Sequence, residues 1–429
     1  MTPPEQNQKF KATPFQIFCW CVFDWAHSPF FSVIITFVFS NYFVRAVAPS
    51  VTTGTMYWGW AIGIGGVLTA LLSPVIGAIA DYTGSRKIWL SGFCAVATIS
   101  TALLWFTYPH THWILWGLTF VVIAQICFEL AQLFYNAIMA AITPSAWMGR
   151  VSGWGWGLGY IGGIFCLVIA LFVCIKMLPH ENSANVRSVA LLVAAWFLIF
   201  SLPLMIFTPD RQLQASMPIL KACRNGLGEL WTTFQHARHY QGILLFLLAH
   251  LIYTDGLNTL FSVGGTFAGG TFNMSFERIL LFAITLNVTA GIGAMLFAWV
   301  DDYISSKFTI IVSLIGLIVC GMAILFTYDV LWFWIFSCVL GIFVGPTQAA
   351  SRSYMAHISP PNLYNQMFGL YNFSGKISSF SGPFIFAILT GMFHSQRAGM
   401  SSIVILLVVG LLILFFAVPN AKRAVSAVS

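Results

Sequence analysis

The sequence predicts an all-α polytopic membrane protein, with twelve transmembrane helices in two six-helix bundles and both termini in the cytoplasm. Three observations carry this reading. Of the 429 residues, 59% are hydrophobic and only 7% are charged, where soluble domains carry about 25% charge. Apolar stretches of roughly 20 residues, the length that crosses a hydrocarbon core, recur along the whole chain. The basic residues also fall unevenly on the two sides that those stretches define. A soluble enzyme, a disordered chain and a typical nucleic-acid binder are thereby excluded. The net charge of +7 is what topology requires, because cytoplasmic loops gather Lys and Arg.

The spans read as 15–44, 56–80, 88–107, 113–142, 151–176, 188–208, 241–266, 276–300, 308–326, 332–357, 366–393 and 401–418. The first is too long for the apolar core of a cleavable signal and lacks a small-residue cleavage site, so it is expected to stay in the protein. One polar connection separates the sixth and seventh spans. The chain divides accordingly into an N-terminal six-helix bundle (1–208), a cytoplasmic linker (209–240) and a C-terminal six-helix bundle (241–429). With the N-terminus inside, the cytoplasmic segments hold twelve of the 19 basic residues, from Lys9 and Lys11 through Arg86, Lys87, Arg150 and Lys307 to Arg423. The outer side holds five: Arg45, Lys176, Arg187, Arg278 and Arg397. Arg352 and Lys376 are left within spans.

Cysteine usage is uninformative. The nine cysteines are odd in number, nearly all in apolar stretches, and without CxxC or Cys/His metal spacing, so neither disulfides nor a structural zinc site is expected. His110 and His112 share a short outer loop with no third ligand nearby, and no metal is expected there. Asn273-Met-Ser275 is a sequon short enough to arise by chance.

The two halves repeat each other. Asp24-Trp-Ala-His27-Ser28 in the first span is echoed by Asp255-Gly-Leu-Asn258-Thr259 in the seventh. Each places an acid, a hydrogen-bonding residue three on and a hydroxyl four on, offsets that share one helical face. The segment Gly77-Ala-Ile-Ala-Asp81-Tyr-Thr-Gly84-Ser-Arg86-Lys87 has a degraded counterpart, Asp301-Asp302-Tyr-Ile-Ser-Ser-Lys307. The Pro144 loop, with Gly153 and Gly159-Tyr160, aligns without gaps on the Pro360 loop, with Gly369 and Gly375-Lys376. Three matches in one order point to a six-plus-six duplication, the usual build of secondary transporters.

Charges inside spans are costly and face a cavity or a partner, which makes their placement informative. The first span carries Asp24, His27 and Ser28. The fourth carries Gln125, Glu129, Gln132 and Asn136, spaced as one continuous helical stripe. The seventh carries Asp255, Asn258 and Ser262, and the tenth Gln348, Ser351 and Arg352. Spans three, six, nine and twelve have no interior charge. Spans 1, 4, 7 and 10 are therefore expected to surround a wet cavity, with 3, 6, 9 and 12 facing lipid. Polar residues that only bond neighbouring helices have no reason to keep that period. Lys376 in the eleventh span is expected either to reach the cavity or to pair with Asp255 or with the partner of Arg352.

Gly155, Gly159 and Gly163, and likewise Gly59 and Gly63, are spaced by four and read as close-packing faces. Pro29, Pro346 and Pro383 are expected to kink or locally open their helices beside the polar residues.

The stretch from Gly77 through Asp81 and Gly84 to Arg86-Lys87 resembles the loop signature of the major facilitator superfamily, with Tyr82 where a basic residue is common. The resemblance implies that Asp81, Gly84, Arg86 and Lys87 lock cytoplasmic helix ends together in one conformer. Phe23-Asp24-Trp25-Ala26-His27-Ser28, Phe134-Tyr135-Asn136-Ala137, Arg150 through Tyr160, Asp255 through Thr259 and Gly345 through Lys376 resemble the vacuole effluxer (UMF1-type) family of that superfamily. His27 stands where Asn is the expected residue. This resemblance implies small-solute transport, and through the fungal members amino-acid export from vacuoles.

The sequence thus points to alternating-access transport of a small polar solute, an amino acid in the leading reading. Asp24, Glu129 and Asp255 beside Arg352 and Lys376 suit a zwitterion, whose two charges need separate partners. Asp24 with His27 one turn on is the expected proton-coupling pair. The alternative is proton-driven efflux of drugs or siderophore-like compounds, kept open by 16 Trp and 40 Phe. No enzyme motif occurs, and no cofactor, metal or nucleic acid is expected. A monomer in the bacterial inner membrane is the expected form.

Overall fold

The computed structural model describes residues 12–83, 85–209, 241–274, 276–379 and 381–419, together with residues 221, 225 and 228. Gly84, Ser275 of the sequon, nearly all of the 209–240 connection and the basic residues of both chain ends lie outside the described residues.

Among the described residues, twelve helices are long and apolar enough to cross a membrane. They are α1 (Pro14–Val47), α2 (Val51–Thr83), α3 (Arg86–Phe106), α4 (Thr111–Ile142), α5 (Ser145–Ile175), α6 (Glu181–Phe207), α7 (Gln241–Phe272), α8 (Phe276–Tyr303), α9 (Ser306–Phe326), α10 (Val330–Ile358), α11 (Pro361–Phe393) and α12 (Gln396–Phe416). Local chemistry fixes several starts. Thr13 and Gln16 form a reciprocal capping box ahead of Pro14, which satisfies amides that the first helical turn leaves open. Ser85, Ser305 and Asp329 cap α3, α9 and α10 from one side only, each side chain accepting from a first-turn amide.

The prolines act through their missing amide. Pro29 leaves the Trp25 carbonyl without its helical donor, and the indole Nε1 of Trp196 on α6 donates to it at 3.2 Å. Directly after Pro29 the helix widens to a π-helical stretch over Phe30–Phe37. Pro346 similarly frees the Ile342 carbonyl, against which Gly293 of α8 packs. In α11 the break is complete. Regular helix runs over Tyr364–Lys376, turns through Ile377–Ser379 and resumes at Ser381, two residues before Pro383.

Helices α1–α6 pack on one another, as do α7–α12, and the halves meet along two seams. In one seam α2 crosses α11; in the other α5 crosses α8 and α10. The first crossing is tight because Gly369 lies on the Ser73–Pro74 backbone and Gly77 on that of Asn365. Four helices to which the sequence pattern gave no shared role thus hold the halves together. Helices α3, α6, α9 and α12 lie outside, presenting Ile99, Ile199, Val319 and Leu412 to the surroundings.

The glycine stripes divide. Gly155, Gly159 and Gly163 face α1, and a Cβ on them would come within 2.8–2.9 Å of Asp24, Ser28 and Ser32 respectively. Gly59 and Gly63 depart from the expectation: no atom lies within 4 Å of a Cβ built there. Their half of α2 lies on the side away from the chain ends, beyond the crossing with α11.

A cavity between the halves and two latches on one side of it

A cavity of about 340 Å³ lies between the halves. Eleven of the residues singled out from sequence line it: Asp24, His27 and Ser28 from α1, Glu129, Gln132 and Asn136 from α4, Asn258 from α7, Gln348, Ser351 and Arg352 from α10, and Lys376 from α11. Three do not. Ser262 turns back on its own helix, donating to the Thr259 carbonyl at 3.0 Å. Gln125 continues the α4 stripe, but at its depth α2 covers that face, and its Nε2 donates to the Ile62 carbonyl at 3.3 Å beside Gly65. Asp255 sits on the flank of the lining face formed by Thr254, Leu257, Asn258 and Phe261. It turns to the restart of α11, where it accepts from the Ser381 hydroxyl. A carboxylate is favoured at such a helix start, where amides are open.

The cavity floor is an ion pair between the halves. Arg352 Nη1 lies 3.0 Å from Asp24 Oδ2, with both side chains buried. Asp24 also accepts from the Tyr135 hydroxyl at 2.9 Å and from Gln132 Nε2 at 3.3 Å. Arg352 donates through Nε to Ser152 Oγ at 2.9 Å and through Nη2 to the Ser152 carbonyl at 2.6 Å. Its Nη1 also reaches Asn136 Oδ1 at 3.4 Å. Trp20, Tyr135 and Trp156 surround the guanidinium at 5.0–5.6 Å. Buried charges persist when paired and fully hydrogen-bonded, and this pair meets both conditions. The missing Cβ of Gly155 leaves it room.

A second pair lies in the cavity wall. Lys376 Nζ is 2.6 Å from Glu129 Oε1, and the lysine side chain stays one-third exposed. Asn372, one turn earlier on α11, donates to the Glu129 carbonyl at 3.1 Å. Lys376 therefore pairs with neither partner expected for it. Its position at the last turn of the first α11 segment aims it across the seam at α4.

The expected pairing of Asp24 with His27 is also replaced. Asp24 engages Arg352, while His27 Nε2 faces the Phe128 carbonyl at 3.2 Å. The cause is the seam itself: α10 brings a guanidinium to the carboxylate, which leaves the imidazole to α4.

Sequence reading missed the contributions of α5, α8 and the middle of α11. Trp156 and Tyr160 of α5, Asn287 of α8 and Tyr371 and Asn372 of α11 all line the cavity. The Tyr160 hydroxyl donates to Gln348 Oε1 at 2.6 Å, again across the seam. A signal was present, because the internal repeat aligns Tyr160 with Lys376, and both reach the cavity.

Two carboxylates close the side of the cavity on which α2 and α8 end and α5 and α11 begin. Asp81, at the end of α2, accepts from the backbone amides of Asn365 and Gln366 at 3.2 and 2.8 Å, at the start of regular helix in α11. Arg86 Nε donates to Asn365 Oδ1 at 3.2 Å. Lys87 instead donates to the Thr208 carbonyl within its own half. Asp302, at the end of α8, accepts from the amides of Gly149 and Arg150 at 2.7 and 3.2 Å and from Arg150 Nε at 2.5 Å. Each carboxylate thus caps a helix start in the opposite half, where the helix dipole favours negative charge. The counterpart read as degraded performs the same task as the intact motif. On the other side the cavity extends past Asp24 to Ser32 and Phe261. A separate recess of about 370 Å³ by His110 and His112 lies in the loop on that side, far from these charges. No cluster among the described residues could hold a metal ion.

Two bundles that meet around a central charged cavity, latched on one side, define a membrane transporter of the major facilitator kind. Solved structures of that kind share the whole architecture. The proton:xylose symporter XylE superposes with a TM-score of 0.76 over 95% of this chain and 96% of that one, at 12% identity. FucP in its outward conformation superposes with 0.73 over 94% and 98%, at 14% identity. The family model described as vacuole effluxer Atg22 like matches residues 44–148 and 144–427, and the chain belongs to that family. Among its relatives is the uncharacterized MFS-type transporter YxiO of Bacillus subtilis, 31% identical over 95% of this chain and 96% of that one. Autophagy-related protein 22 of Saccharomyces cerevisiae is 24% identical over 62% of this chain, which spans 56% of that longer protein. Transporters of this kind are not enzymes and need no cofactor.

Proposed function

We propose that the protein carries an amino acid or a closely similar zwitterion across the membrane by alternating access, with residues 1–208 and 241–429 rocking about the cavity. The observation that carries this reading is the Glu129–Lys376 pair in the cavity wall. A zwitterion presents a carboxylate to Lys376 and an ammonium to Glu129, replacing one ion pair by two and leaving no buried charge unpaired. By the bias of basic residues, the termini and both latches face the cytoplasm. The state described here is then open outward and closed inward. Opening inward withdraws Arg352 from Asp24, and a proton or the ammonium of the solute then neutralises the carboxylate. That is the proposed route of proton coupling. A monomer in a bacterial cytoplasmic membrane is the proposed form.

One observation favours a second reading. Phe31, Trp156, Tyr160, Tyr253, Phe261 and Tyr371 also line the cavity, and aromatic walls suit efflux of larger apolar compounds. Counterflow in proteoliposomes separates the two. Exchange of labelled amino acids, blocked by other amino acids, supports the zwitterion reading. Block by hydrophobic cations with no amino-acid exchange supports efflux.

A further inference from the structure

Next to the α8 latch lies a carboxyl group that the transport cycle above does not use. Asp301 is 5% exposed. Its Oδ1 contacts Ser306 Oγ of α9 at 2.5 Å, and its Oδ2 contacts Ser353 Oγ of α10. The two hydroxyls also contact each other, at 2.9 Å. The start of α5 closes the site from the opposite half, because Gly149 packs on the Asp301 side chain without room for a Cβ.

Counting protons around this ring decides its charge. An ionised carboxylate and two hydroxyls supply two protons for three oxygen–oxygen contacts, so one contact would set lone pair against lone pair. A neutral carboxyl supplies the third. Each group then donates once and accepts once: Asp301 to Ser353, Ser353 to Ser306 and Ser306 back to Asp301. The alternative acceptor of Ser353, the Ala350 carbonyl at 3.2 Å, removes a proton from the ring and does not mend the deficit.

Among the described residues, no neighbouring cation offsets a negative charge. Asp302 is the next residue and is itself committed to α5. Arg150 is held by Asp302, and Arg352 by Asp24 and Ser152. Lys307 donates to the Phe415 and Val418 carbonyls. The Tyr354 hydroxyl donates to the Pro419 carbonyl. His357 sits between the Ser353 and Ser145 carbonyls. A carboxylate buried without a counterion takes up a proton instead.

We propose that Asp301 is a proton-binding site of the inner gate, holding one proton while α5 covers it and releasing that proton when the gate opens. On opening, water reaches the carboxyl. Its O–H bond breaks, the electron pair stays on the carboxylate and the proton passes to water. The three proton-sharing groups belong to the C-terminal half, and the site is independent of the identity of the transported solute.

Infrared difference spectroscopy of the full chain in lipid nanodiscs tests this. The wild type at neutral pH should show a neutral-carboxyl C=O band that is lost in Asp301→Asn and shifted in Ser353→Ala. The band should weaken when Asp81→Asn and Asp302→Asn together loosen the gate. Asn can donate and accept around the same ring, so Asp301→Asn should melt at the wild-type temperature while Asp302→Asn melts lower. Identical carboxyl spectra for wild type and both ring variants would overturn the proposal. So would a band unaffected by loosening the gate, or a melting loss in Asp301→Asn as large as in Asp302→Asn.

Discussion

Asp24 on the first helix and Arg352 on the tenth form one buried ion pair, 3.0 Å long, that ties the two halves together at the cavity floor. Removing one partner of such a pair costs roughly 3–5 kcal/mol, because the other charge stays buried. Arg352→Gln should therefore shift the balance away from the state described here by more than about a hundredfold. Asp24→Asn should do the same. The double variant should be less harmful than the sum of the two, and a double-mutant cycle on melting temperature reads the coupling directly.

In the proposed function Lys376 holds the solute rather than the fold. Lys376→Gln should lower affinity for a zwitterion by about 10- to 100-fold, from the loss of one charge-assisted hydrogen bond. Folding and lipid insertion should be little changed, since the lysine is one-third exposed and a Gln at 376 keeps a hydrogen-bond donor beside Glu129. Ligand-induced melting shifts of wild type and variant provide the comparison.

The two latches sit on separate seams, one at α2–α11 and one at α5–α8. Asp81→Asn and Asp302→Asn should each weaken closure on that side by roughly 1.5–3 kcal/mol, the usual worth of hydrogen bonds to a charged group. Their effects should add, because they share no partner. Hydrogen exchange at the amides of Gly149 and Gln366 reports each latch separately, and each substitution should deprotect its own helix start first.

Gly155→Ala places a methyl 2.8 Å from Asp24 Oδ2 and 3.0 Å from Arg352 Nη2. Overpacking of this kind costs about 1–3 kcal/mol, and here it also displaces the ion pair, so both melting temperature and flux should fall. Gly59→Ala and Gly63→Ala meet open space and should leave the melting temperature of this state unchanged.

Much of this was legible in the sequence for a physical reason. Charge within a span is so costly that each occurrence marks either a cavity or a partner, and eleven of the fourteen residues singled out around the cavity do line it. What periodicity conveys is the face of a helix, not what covers that face at a given depth. Gln125 lies on the Glu129 stripe yet meets α2, and Asp255 lies beside Asn258 yet meets the restart of α11. Pairings across the seam were likewise hidden, since nothing in one helix fixes its rotation against a helix more than 200 residues away. Arg352 therefore took Asp24 from His27, and Lys376 took Glu129. The lining from α5 and α8 was missed because it rests on aromatic, glycine and amide residues, which leave no charge signal.

In the proposed function the cavity recognises both ends of a zwitterion at once, through Glu129 and Lys376. That recognition is tested most directly by melting the purified protein with each amino acid, with the matching amine lacking the carboxylate and with the matching acid lacking the ammonium. A ligand at a hundred times its dissociation constant stabilises the native state by about 2.7 kcal/mol. At least one amino acid should give a clear upward shift, its half-charged analogues none, and Lys376→Gln should lose the shift. Stabilisation by the amine or the acid alone as strong as by the amino acid would contradict that recognition, as would stabilisation by hydrophobic cations and by no amino acid.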